Sequence, residues 1–122
     1  MIQYREYRFE KLEVYELGEE LVVIVYDICR EFPRSEEFGL TSQLKRAIVS
    51  VVLNIAEGSA FAGDKEFRRF VGISIGSLVE TRAGLLLAIK LNFIKRENVE
   101  NVFRLIDSLF FKLLALKKSL SE

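Results

Sequence analysis

The segment Gln43–Gly58 reads QLKRAIVSVVLNIAEG, and it decides the fold because it is apolar around almost its whole circumference. On a helix that turns about 100° per residue, its central polar side chains fall on one narrow strip. This strip consists of Arg46, Ser50, Asn54 and Glu57. A helix that is apolar on every other side must be covered on more than one side. It therefore needs three other helices of its own chain, or a second copy of the chain.

Helical periodicity extends over four stretches, at about residues 10–31, 42–57, 64–92 and 96–120, and no stretch alternates with a period of two. Pro33 ends the first predicted helix, and Gly58 and Asn92 are suited to end the second and third in a left-handed conformation. Short connections make neighbouring helices antiparallel. The sequence therefore predicts an all-α, up-down-up-down antiparallel four-helix bundle, in which residues 1–122 form a single domain.

The inward positions of these helices define a predicted core of thirteen apolar side chains. They are Leu21, Ile24, Ile28, Leu44, Ile48, Val51, Ile55, Phe67, Val71, Leu78, Ile106, Phe110 and Leu113.

The polar strip predicts a buried seam of Arg46, Ser50, Asn54 and Glu57, with Glu80 as a further carboxylate. Buried charges are tolerable only when they are paired and hydrogen-bonded. We expect this seam between the second and third helices or between subunits, and the alternative is a ligand site.

A stripe of small residues runs along the third predicted helix, at Gly72, Gly76 and Ala83. Glycine inside a helix costs roughly 1 kcal/mol relative to alanine. We therefore expect another backbone to pack closely against the stripe, from a neighbouring helix or a neighbouring subunit.

The composition excludes most catalytic chemistry. The chain has no histidine, no tryptophan and one cysteine, so a Ser-His-Asp triad and Cys/His zinc sites cannot form. No phosphate-binding glycine loop occurs. We expect no enzyme activity, no cofactor and no metal.

The single Cys29 reads as a buried apolar side chain, and the absence of a leader-like or membrane-spanning run predicts a cytoplasmic protein that does not enter a membrane.

The charges balance overall but not locally. The chain carries 18 basic and 18 acidic side chains, yet residues 1–40 hold five basic and ten acidic ones, net −5. Basic side chains gather near the turn between the second and third helices, at Lys45, Lys65, Arg68 and Arg69. In a ring of several copies this cluster would repeat around an axis and could hold phosphates. These four residues are the candidate nucleic-acid contacts.

Several blocks of sequence between Leu12 and Ile94 carry a resemblance to a known family. The blocks are Phe32-Pro33, Glu36, Phe38-Gly39-Leu40-Thr41-Ser42-Gln43-Leu44, Arg46-Ala47, Ser50, Asn54-Ile55-Ala56-Glu57-Gly58, Lys65-Glu66-Phe67, Phe70, Gly76-Ser77-Leu78 and Glu80. In this order they resemble the four-helix bundle proteins encoded by intervening sequences of bacterial large-subunit ribosomal RNA genes. That family is similar in fold to the pentameric accessory protein of diversity-generating retroelements, which binds a reverse transcriptase and RNA.

Two functions follow as hypotheses. The resemblance implies a homopentamer, and with the basic cluster it favours a non-enzymatic adaptor for RNA or single-stranded DNA, working beside a nucleic-acid enzyme such as a reverse transcriptase. The zero net charge favours a protein-interaction scaffold instead, as does Phe61, which stands where the family commonly has a basic residue. A closed homo-oligomer is expected in either case, because the second helix is apolar on more sides than one core can cover.

Overall fold

The computed structural model describes residues 4–121 of the chain and contains four long helices. They are α1 (Glu13–Cys29), α2 (Leu40–Ser59), α3 (Asp64–Lys90) and α4 (Glu100–Ser119). Short 3-10 segments precede three of them, at Arg8–Lys11, Arg34–Glu36 and Arg96–Asn98. No strand occurs in residues 4–121, and the predicted all-α class is confirmed.

The helices pack as a closed four-membered bundle. Helix α1 contacts α2 and α4, and α3 also contacts α2 and α4, so each helix has two neighbours. The most extensive of these contacts joins α2 to α3. The predicted antiparallel four-helix bundle is confirmed.

The predicted core is present with one displacement on α1. Eleven of its thirteen side chains are buried, and Ile24 and Phe110 are half-buried against them. The fully buried side chain at this level of α1 is Val25 rather than Ile24. Gly18, two helical turns before Val25, explains why Val25 is the buried residue. A Cβ placed on Gly18 would lie 2.6 Å from a methyl group of Val52, so the side of α1 that carries Gly18 and Val25 faces inwards.

Glycines also bring α2 and α3 together. A Cβ on Gly58 would lie 2.6 Å from the Cβ of Phe70, and one on Gly84 would lie 2.6 Å from a methyl carbon of the buried Leu44. The expectation that Gly58 ends its helix in a left-handed conformation is wrong. No glycine in the described chain has a positive φ, and α2 continues to Ser59.

Hydroxyl groups fix the register of α2 against α3 between the contacts made by Gly58 and Gly84. The buried Ser74 hydroxyl donates to the Val51 carbonyl at 2.8 Å, and the Ser50 and Ser77 hydroxyls lie 2.9 Å apart. Buried polar groups must be paired, so a slip of one residue would leave these groups unsatisfied. The register therefore has few alternatives.

Asn92 ends α3 as predicted, with φ of 62°. The Phe93 N–H donates to the Ala88 carbonyl at 2.9 Å, and the Asn92 N–H donates to the Ile89 carbonyl at 3.0 Å. This pair of bonds is a Schellman motif, which satisfies the last carbonyls of the helix.

Helix α3 is apolar enough, by length and composition alone, to cross a membrane, which the sequence expectation did not anticipate. A core helix of a soluble protein passes the same test, and α3 packs along both α2 and α4. We therefore describe α3 as a helix of the bundle. Only 33% of its apolar stretch is buried within the chain, so much of its outer side has no partner there.

We expect Gly58→Ala to lower the free energy of unfolding by about 1–3 kcal/mol, because the added methyl would overlap the Cβ of Phe70, which cannot move without the backbone. Gly72→Ala is the matched control, since a Cβ there makes only ordinary contact with Lys117 and alanine favours the helix. Urea unfolding of both variants measures the difference. Equal stabilities would contradict the close approach of α2 and α3.

Candidate nucleic-acid interface

A basic groove of about 520 Å³ opens where the first turns of α3 meet the last turn of α4. It is lined by Lys65, Glu66, Arg68, Arg69, Gly72 and Lys117. Four of these side chains are basic and one is acidic. Three of the four residues predicted to contact nucleic acid therefore share one concave surface.

Arg68 connects the two helices that form the groove. Its guanidinium donates a hydrogen bond of 2.8 Å to the main-chain carbonyl of Lys117, 49 residues away. The last carbonyls of a helix have no partner inside the helix, and a cation stabilises that negative end. Arg68 thus caps α4 while its charge remains beside the groove.

Arg69 is paired within its own helix. Its Nε donates to the Glu66 carboxylate at 3.2 Å, and its guanidinium lies 4.5 Å from the centre of the Phe70 ring. The hydrogen bond from Arg69 lowers the pKa of Glu66, and the contact with Glu66 raises the pKa of Arg69, with a smaller contribution from Glu57. One cation of the groove is therefore partly neutralised.

The structure does not bring Lys45 into this groove. Lys45 lies near the start of α2, roughly 20 Å along the helix from the turn that precedes α3. Its ammonium group sits 4.9 Å from the centre of the Tyr26 ring. The expectation that Lys45 clusters with the other three basic residues is wrong.

Lys117 takes the fourth place in the groove, and the sequence analysis missed it. It comes from the far end of the chain, and only the return of α4 alongside α3 places it beside Gly72. The signal that was present is the pair of basic residues, Lys117 and Lys118, in the last turn of α4.

The polar strip on α2 is only partly buried within one chain. Ser50 and Asn54 are half-buried, and the Asn54 amide donates to the Ser50 hydroxyl at 2.9 Å. Arg46, Glu57 and Glu80 are exposed. A seam of all five residues buried between α2 and α3 of the same chain is therefore wrong. Burial between subunits stays a prediction.

The small-residue stripe faces outwards. Nothing lies within 4 Å of a Cβ placed on Gly76, and Ala83 is exposed. Gly72 lines the groove beside Lys117. No neighbouring helix of the described chain packs closely against this stripe. Close packing against a neighbouring subunit, the other alternative, stays a prediction.

Other chemistry is sparse in the described residues. Burial raises the pKa of the Cys29 thiol, and such a thiol is a poor nucleophile at neutral pH. No group of three or more His, Cys, Asp or Glu side chains in residues 4–121 could hold a metal ion. The groove is therefore the best candidate for a functional site.

Comparison with protein families adds one decisive match. Residues 10–115 match the model of the 23S rRNA-intervening sequence protein family. The chain belongs to this family. The described bundle agrees with the resemblance found in the sequence blocks. Comparison with curated proteins finds no match.

One solved structure has a similar fold. It is a crystal structure of a protein of unknown function from the S23 ribosomal protein family of Bacteroides thetaiotaomicron, with a TM-score of 0.79 and 23% sequence identity. The match covers 86% of the present chain and 98% of the other. At this identity the likeness shows the fold alone.

We expect Arg69→Gln to raise the pKa of the Glu66 carboxyl, because the hydrogen bond that favours its charged form is lost. An NMR titration of the side-chain carboxyl carbons measures this pKa. Since folding lowers the pKa of Glu66, the contact stabilises the fold above the ordinary pKa of glutamate, and this contribution disappears as the pH falls through the lowered value. Lys65→Gln, which removes a charge but no hydrogen bond, should shift the pKa less. An unchanged pKa in Arg69→Gln would show that the pair does not form in solution.

Proposed function

We propose that this member of the 23S rRNA-intervening sequence protein family is a non-enzymatic, homo-oligomeric adaptor that binds RNA or single-stranded DNA in the basic groove. The observation that carries the proposal is a concave surface with four basic side chains and one carboxylate, on a chain of zero net charge. Phosphate contacts supply most of the sequence-independent affinity of proteins for nucleic acid.

Self-association would turn one groove into a repeated one. A single groove with a net charge of +3 offers few phosphate contacts, but copies around a closed ring would add theirs along one strand. The resemblance to the retroelement accessory protein supports five copies and a nucleic-acid enzyme, such as a reverse transcriptase, as a further partner. A cytoplasmic location is consistent with the single buried cysteine.

The outer face of α2 and α3 is the candidate surface for self-association. Leu53, Ile73 and Leu87 are exposed there, Leu53 by 58%, and Gly76 leaves room beside them for another backbone. Isolated exposed apolar residues are normal, but several on one face indicate an interaction site. We call this surface the α2–α3 face.

The charges on the α2–α3 face suit a second copy of the same chain. Helix α2 carries Arg46 and, 11 residues later, Glu57, and α3 carries Arg69 and, 11 residues later, Glu80. Both helices thus present a cation followed by an anion at equal spacing. Antiparallel packing of α2 against α3 of a second copy would place Arg46 opposite Glu80 of that copy, and a contact between two different helices can repeat around a ring.

We expect the chain, which has a mass of 14.1 kDa, to scatter light as an oligomer at micromolar concentration, and Leu53→Glu to shift it to monomer. The substitution puts a charge in the middle of the α2–α3 face, where it would be buried unpaired. Phe111→Glu on α4 is the matched control, since Phe111 is also exposed but lies outside this face. A monomeric parent protein would overturn the ring.

We expect binding of single-stranded RNA that weakens steeply as salt is raised, because phosphate contacts release counterions. Lys65→Glu with Lys117→Glu should abolish it at salt concentrations where the parent protein binds. Lys90→Glu with Lys95→Glu makes the same charge change at the other end of α3, and should leave binding unchanged. Fluorescence anisotropy with a labelled oligonucleotide measures all three. Equal losses in both double variants would show a general charge effect rather than a site.

A protein-interaction scaffold is the second candidate. Val23 is the most exposed apolar residue of α1. It lies between Glu19 and Asp27, which are also exposed. This surface would suit a basic partner with an apolar anchor. If the parent protein binds neither RNA nor single-stranded DNA at low salt, the nucleic-acid proposal fails and this candidate replaces it.

A further inference from the structure

Phe61 lies in the turn between α2 and α3, and 42% of its surface is exposed. Its ring stacks on the nearly buried ring of Phe70, with 5.6 Å between the ring centres and 13° between the planes. Phe70 therefore holds Phe61 in one orientation while part of its ring remains open to solvent.

The local backbone supports this orientation. The Phe61 N–H lies 3.3 Å from the Gly58 carbonyl, and Gly58 in turn allows the Cβ of Phe70 to approach α2 closely. The position of Phe61 is thus set by the same contact that joins α2 to α3. An aromatic ring that is fixed in this way loses little side-chain entropy when it binds a flat partner.

The basic groove begins next to this aromatic pair. Arg69 lines the groove, and its guanidinium also lies over the Phe70 ring, 4.5 Å from its centre. A cationic groove with an adjoining exposed aromatic ring is the arrangement that single-strand-binding proteins use, with phosphates in the groove and a base on the ring.

We propose that Phe61 is a stacking platform for one base of a single strand whose phosphates occupy the groove of Lys65, Arg68, Arg69 and Lys117. This inference rests on the proposed nucleic-acid function and specifies its ligand as unpaired RNA or DNA. In a duplex both faces of each internal base are already stacked, so Phe61 selects against duplex. Stacking needs only the flat face of a base, so the platform is tolerant of sequence.

A tryptophan reporter tests the contact directly, because the chain contains no tryptophan. Phe61→Trp places the only indole on the platform, and a base stacked on it should quench its fluorescence when a 20-nucleotide oligo(U) RNA is added. Phe111→Trp is the matched control, since Phe111 is 67% exposed and also packs against a neighbouring phenylalanine, but on α4. Its fluorescence should not change.

A second variant separates stacking from charge. Phe61→Leu keeps apolar cover over Phe70 but removes the flat ring, and should weaken binding of oligo(U) by about 5- to 100-fold. Because stacking releases no counterions, the slope of log affinity against log salt should stay that of the parent protein. Binding of a blunt 20-base-pair RNA duplex should be weaker than that of the single strand in the parent protein, and unchanged in Phe61→Leu.

The outcomes distinguish the platform from the groove. The platform is wrong if Phe61→Leu binds oligo(U) as tightly as the parent protein and Phe61→Trp is not quenched. The proposed function still stands in that case if Lys65→Glu with Lys117→Glu abolishes binding. If no nucleic acid binds at low salt, both are wrong. Thermal unfolding of Phe61→Leu checks its fold. Should this variant not fold, the quenching of Phe61→Trp against Phe111→Trp decides alone.

Discussion

The helices α2 and α3 approach each other closely at two points, and the other helices pack around the pair that results. Gly58 meets Phe70 at one end, and Gly84 meets Leu44 at the other. The two points are separated by 14 residues on each helix, about four turns, so the helices stay close over that whole length. Each approach pairs a glycine with a large side chain, and between the two ends Ser50, Ser74 and Ser77 form hydrogen bonds across the pair. Leu53, Ile73 and Leu87 take no part in these approaches, and they form the apolar outer face.

Much of the fold could be predicted from periodicity, and the errors have physical causes. Along α1 the residues from Leu21 to Val25 are all apolar, so spacing alone could not choose between Ile24 and Val25 as the buried side chain. The choice is made by Gly18 and its contact with Val52, which belongs to another helix. Gly58 was misread for a related reason. Glycine is common both at helix ends and where two helices approach closely. Only the position of Phe70 shows that Gly58 has the second role.

The candidate site could be predicted only in its local part. Lys65, Arg68 and Arg69 lie within two helical turns, so any helix there groups them. Lys117 joins them through the return of α4, a contact across 49 residues that no local pattern records. Lys45 looked close in the sequence because it precedes the same turn, but a straight helix holds it far away. The prediction of a buried polar seam is wrong for a third reason. Arg46 and Glu57 share a helical side with Ser50, and that side faces outwards at both ends.

Arg68 gives the groove a property that its charge alone would not. The guanidinium that lies beside the groove also holds the Lys117 carbonyl, so the shape of the basic surface depends on the last turn of α4 being docked. Helix ends fray more readily than helix centres, and their local opening costs less free energy than global unfolding. A strand that occupies the groove would bind the docked state in preference to the frayed one and so slow the hydrogen exchange of the amides in that turn. Hydrogen exchange in the last turn of α4 would then report occupancy of a groove that is formed mostly by the start of α3.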